Sequence, residues 1–76
     1  RLFSVENAII RLKKILKGSK DWKSLLDFIP KDIKSELENK SALASHFVAS
    51  LELVKEGNAN IKQDNIEDEI FLSSKI

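Results

Sequence analysis

Few side chains in this chain could do chemistry. His46 is the only histidine, with Ser45 beside it and Ser50 four residues on. A histidine near two serines invites a hydrolase reading. Nothing supplies a nucleophile elbow or an oxyanion hole, however, and serines inside helices are usually inert. A structural metal centre needs about four ligands, and there is no cysteine and no second histidine. His46 therefore reads as a polar surface or interface residue. Asp64, Glu67, Asp68 and Glu69 form an acidic cluster. They lack the glycine-centred, alternating spacing of a calcium loop and read as a solvated turn. With only Gly18 and Gly57, no glycine-rich phosphate cradle can form. Asn39-Lys40-Ser41 matches a glycosylation sequon, which matters only in a secreted protein. No catalytic residue, metal ligand or cofactor site is expected.

Composition sets matching bounds. The chain has 76 residues, 42% hydrophobic and 33% charged, with a net charge of +1. That is one domain, spanning 1–76, apolar enough to fold and too small for a deep catalytic pocket of its own. No apolar run approaches the roughly 18 residues that span a bilayer, so no membrane contact is expected. The lack of cysteine suits a reducing compartment. Residues 1–40 carry about +4 and residues 41–76 about −3, a split that fits a partner reading one end. Arg1-Leu2-Phe3 leads straight into a helical pattern with no signal peptide and no initiator Met. The chain reads as a fragment of a longer protein.

These residues need elements to position them. Ser4 is a good N-cap. Val5, Ala8, Ile9, Leu12, Ile15 and Leu16 follow on one helical face, Gly18 suits the left-handed C-cap, and Ile10 falls on the far side as a stray surface residue. Trp22-Lys23 reads as a very short strand or extended link. Ser24 caps a short second helix over 25–29, ended by Pro30. Pro30-Lys31-Asp32 is compatible with another helical turn, with Ile33 and Leu37 inward, and 36–40 reads as a polar link.

A third helix is predicted over 41–56, stopped by Gly57 and Asn58. Its apolar residues form two groups at ~100° per residue. A wide arc holds Leu43, Ala44, Phe47, Val48, Leu51 and Val54, large enough to supply the core. A narrow stripe holds Ala42, His46, Ala49 and Leu53, and asks for a second partner. Residues 59–63 alternate and 70–72 favour strand. With the polar loop between them they read as an antiparallel hairpin, and 73–76 as a frayed tail. The order helix, short strand, helix, helix, hairpin is that of an α+β winged helix: three main helices and a C-terminal β-hairpin wing.

Winged helices commonly lay the third helix in the DNA major groove, which requires Lys, Arg, Asn or Gln at its outer positions. On this reading those positions are Ser45, His46, Ala49, Glu52, Leu53 and Glu56. Two glutamates there repel phosphate, so specific DNA binding is not expected. A weak backbone contact through Arg11, Lys14, Lys17 and Lys20 stays open. A small, uncharged, apolar edge suits a protein surface instead.

The block Ser41-Ala42-Leu43-Ala44-Ser45-His46-Phe47-Val48-Ala49-Ser50-Leu51-Glu52-Leu53-Val54-Lys55-Glu56-Gly57 resembles the C-terminal domain of segregation and condensation protein A, the bacterial kleisin family. Ile61-Lys62-Gln63-Asp64 and Glu69-Ile70-Phe71-Leu72 resemble that family's wing. Phe3-Ser4-Val5-Glu6, Asp21-Trp22 and Phe28-Ile29-Pro30 look like its alphaproteobacterial branch. The chain departs at Asn65-Ile66-Glu67-Asp68, where the family often has Pro-Phe-Gly, and at Ser50, often leucine. The resemblance implies a non-enzymatic module. Kleisins bridge the two ATPase heads of an SMC dimer, closing a ring for chromosome condensation and segregation. The C-terminal winged helix docks on the outer side of one head, with ATP and magnesium belonging to the SMC partner. The dimeric accessory protein B would bind a region absent from this chain. The implied location is the cytoplasm, on the nucleoid. The expected contact is on the third helix, along either His46, Ala49 and Leu53 or the margin Phe47, Ser50 and Leu51. The alternative function is a DNA-binding regulator fragment.

Overall fold

The computed structural model describes residues 3–75. Helix α1, Val5–Leu16, begins where Ser4 turns its hydroxyl to the Asn7 amide (3.1 Å). It ends before Gly18, at φ 72°, a conformation that costs a residue with a β-carbon. Strand β1 is only Lys23–Ser24. Ser24 then caps a 3-10 turn, Leu25–Phe28, accepting from the Leu26 amide. Helix α2 runs Glu36–Lys55, and strands β2 (Ala59–Lys62) and β3 (Phe71–Ser74) follow. The sheet is antiparallel, in the order β1-β3-β2. Lys23 faces Leu72, and Lys62 faces Phe71.

Four expectations need correcting. There are two α-helices and a 3-10 turn rather than three main helices. Pro30 pushes the residue before it out of the helical region; Ile29 is extended (φ −78°, ψ 133°), and its amide closes the short turn on the Leu26 carbonyl. The expected helical turn at 30–32 is a non-helical turn, and Leu37 is exposed, not inward. The link at 36–40 is the first part of α2. Ser35 caps it, accepting from the Glu38 amide at 3.1 Å, and Glu36 and Glu38 lie in the first turn, where the helix dipole favours acids. Lastly, Ser73 and Ser74 are buried strand residues, not a frayed tail. The amide of Ser74 donates to the Ser19 carbonyl and that of Lys75 to the Asn58 carbonyl. Ile76 of that tail lies outside the described residues, as do Arg1 and Leu2.

The C-terminus of α2 is closed by backbone alone. Gly57 sits at φ 80°, its amide donates to Val54 and the next amide, of Asn58, to Leu53. This paired arrangement satisfies the last carbonyls and sends the chain back into β2. The core lies between α1, α2 and the sheet: Ala8, Leu12, Leu16, Leu25, Phe28, Ala49, Leu53, Ala59 and Leu72.

Candidate functional site: the outer face of the second helix

The largest departure from expectation is the orientation of α2. Its narrow stripe is the buried one. Ala42, Ser45, His46, Ala49, Ser50 and Leu53 all face the interior, and the wide arc faces outward. Leu43, Phe47, Val48 and Leu51 are 41%, 39%, 48% and 45% exposed, Ala44 is exposed too, and only Val54 packs against the core. The cause is the fit to α1, the element α2 packs against most extensively. Leu12 and Leu16 on α1 are fully or almost fully buried. A ridge of Leu on one helix packs closely on Ala and Ser of the next, whereas two ridges of large residues would hold the axes apart. The serines pass as small residues because each spends its hydroxyl on its own helix. Ser45 donates to the Ala42 carbonyl at 3.1 Å and Ser50 to that of Phe47 at 2.6 Å.

Of the six residues expected to form a docking surface, four are therefore interior: His46, Ala49, Ser50 and Leu53. The stripe of His46, Ala49 and Leu53 meets α1 and the core, not an outside partner. Phe47 and Leu51 are exposed one turn apart on the outer face. They stand with Leu37, Ala44 and Val48, which the sequence reading places in the core or the link. The signal for these three was present, since all fall on the helical spacing of Phe47 and Leu51, but the wide arc's bulk argued for burying it.

His46 is a core residue rather than a surface one, at 1% exposure. Its Nδ1 donates to the Ala42 carbonyl at 2.7 Å, and Phe3 meets its ring edge-on, 6.4 Å between centroids. The second ring nitrogen, Nε2, is buried and has no hydrogen-bond partner among the described residues, as is the case for Nε of Arg11. Loss of solvent lowers the histidine's pKa below its ordinary value; the bond to Ala42 opposes this, and the charge of Arg11 adds to it. The shift favours the neutral imidazole. Among the described residues no group of three or more His, Asp or Glu could hold a metal ion, and no helix is long and apolar enough to cross a membrane.

The outer face of α2 is poor in charge. Its cations are Lys40, which pairs with Glu36 (3.6 Å), and Lys55 near the C-terminus. Base and phosphate readout needs a denser set of donors than this. Of the positions expected on that edge, Ser45, His46, Ala49 and Leu53 are buried. The lysines of α1 lie apart from this face, and Lys13 approaches Glu56 at 4.0 Å.

No family model matches the chain, and no curated protein matches it. Among solved structures, the fold is similar to a chain in the crystal structure of the SMC head bound to the C-terminal winged-helix domain of ScpA. The two are 24% identical, with a TM-score of 0.62, and the match covers 92% of this chain and 91% of that one. At that level of identity the likeness establishes the fold alone, that of a winged-helix domain.

Proposed function

We infer that this chain is a non-enzymatic protein-docking module of the kleisin type, and that the outer face of α2 seats on an SMC ATPase head. The observation that carries the reading is the unpartnered row of Leu37, Ala44, Phe47, Val48 and Leu51 on a helix whose opposite side already fills the core. Exposed apolar patches of this kind mark interaction sites. The similar winged helix is bound to an SMC head, and the motif resemblance runs in the same direction. Such a module closes a ring used in chromosome condensation and segregation, which puts it in the cytoplasm with the nucleoid. Any ATP or magnesium is held by the head.

The test is a binding titration of the chain against an SMC head, beside duplex DNA. The double variant Phe47→Arg/Leu51→Arg is expected to stay folded by circular dichroism, because both residues are half-exposed. It should lose at least about thirtyfold in head affinity, the scale of two interface anchors. Unchanged head binding in a folded variant refutes the assignment of this face. Tight duplex binding that falls steeply with salt would favour the DNA-binding regulator instead.

A further inference from the structure

A groove runs between α2, the 3-10 turn and the returning limb of the wing, enclosing about 240 Å3. Leu25, Leu26, Leu43 and Ile70 make its apolar side, and Glu67, Asp68 and Glu69 its rim. Leu26 and Leu43 are 50% and 41% exposed. The rim is held in position. Gln63 Nε2 donates to the carbonyls of Ile66 and Asp68 (3.2 and 2.9 Å), and Asn65 Nδ2 to Asp68 Oδ2 (3.0 Å). The Ser24 hydroxyl donates to the Glu69 carboxylate. Among the described residues no lysine or arginine pairs with Glu67 or Asp68; the ion pairs Lys13–Glu56 and Lys40–Glu36 lie elsewhere. Ile66, at the tip of the turn, is 91% exposed.

We propose that this groove is a second contact on the docked protein and receives a basic, amphipathic segment of it. An apolar side chain sits between Leu26, Leu43 and Ile70, and a neighbouring Lys or Arg answers Glu67 and Asp68. This rests on the docking reading above and names the chemistry of the partner at one end of that surface. Leu43 belongs both to the exposed arc of α2 and to the groove, so a protein covering the helix reaches the groove without a gap. Charge selects the occupant. An apolar slot with a fixed acidic rim repels phosphates and anionic surfaces and attracts a polypeptide bearing cations.

The experiment measures binding of three variants to an SMC head at about 50 mM and about 300 mM salt, since ion contacts at a rim are screened across that range. Glu67→Lys/Asp68→Asn reverses one acid and neutralises the other while leaving an acceptor for Asn65. It is expected to bind about tenfold more weakly at low salt, chiefly through slower association, with the gap narrowing at high salt. Leu26→Ser removes part of the apolar wall and should weaken binding about fivefold at both salts. Phe47→Arg/Leu51→Arg reports on the helix face independently. If that variant loses binding while the two groove variants match the parent, the groove is not a contact and docking by α2 stands. If none of the three alters binding, the docking reading itself falls, and this inference with it. Concentration-dependent self-association of the parent chain, lost in the groove variants, assigns the groove to a second copy and overturns the proposal.

Discussion

Leu51 and Leu53 are two residues apart on one helix, identical in type, and opposite in surroundings. Leu53 is 1% exposed among Leu12, Leu16 and Ala49, and Leu51 is 45% exposed on the outer face. Truncating each to alanine therefore separates a core role from a surface one. For Leu53→Ala the loss combines transfer of the buried side chain with a cavity that the surrounding helices only partly fill, about 2–5 kcal/mol in all. Leu51→Ala removes a side chain already half in water and should cost about 0.5–1 kcal/mol. A chain of this length has a total stability of about 4–11 kcal/mol, so the first change removes a large fraction and the second a small one. Thermal and urea denaturation followed by circular dichroism would measure both. With each kcal/mol worth about 4–8 °C in a domain this small, the Leu53 variant should melt at least about 8 °C below the parent. On the same scale the Leu51 variant should melt about 2–8 °C below the parent, always less than the Leu53 variant measured beside it, and yet bind the head more weakly. Equal destabilisation by the two, or a larger loss from Leu51, would return the wide arc to the interior and refute the packing argument from small residues.

Two further outcomes are expected. Because burial lowers the pKa of His46 in the folded chain, the unfolded chain takes up its proton first. The stability tied to the neutral ring is therefore complete above the ordinary value of 6.5 and is lost as pH falls below it towards the folded pKa. Each unit of depression is worth about 1.4 kcal/mol, and His46→Leu should flatten this part of the urea-midpoint profile between about pH 7.5 and 5; an unchanged slope would exclude His46 as its source. Ser35→Ala removes the acceptor for the Glu38 amide and should cost about 1 kcal/mol by thermal melt, with Ser35→Asp close to the parent; no cost to the alanine variant would mean that the first turn of α2 does not depend on its cap.

Local signals written into single residues were readable from the chain. Ser4, Ser24, Gly18, Pro30 and Gly57 each mark a boundary that the fold uses. The hairpin strands fall within a residue or two of their expected limits. Ser35-Glu36-Leu37-Glu38 also carries a readable start signal, a serine followed three residues later by glutamate, and it extends α2 back across residues 36–40. The facing of α2 was not readable in the same way. A helix with apolar side chains nearly all round has no internal preference for one side. The choice is made by Leu12 and Leu16 of α1, which need small neighbours, and periodicity within α2 contains no term for that complementarity. The same reversal moved His46, Ala49, Ser50 and Leu53 inside. It left Phe47 and Leu51 as the only two of the expected contacts on the surface.

The strand order has a consequence for biosynthesis. β3 is made after β1 and β2 yet lies between them, so neither earlier strand can find its ladder partner while residues 71–74 are still inside the ribosome. The two helices can form on emergence, because their hydrogen bonds are local. The sheet, and the buried Leu72 that anchors it beneath them, must wait for the end of this segment. A nascent chain stalled before residue 71 would carry two unmatched edges, a species prone to capture by chaperones or by its neighbours on a polysome.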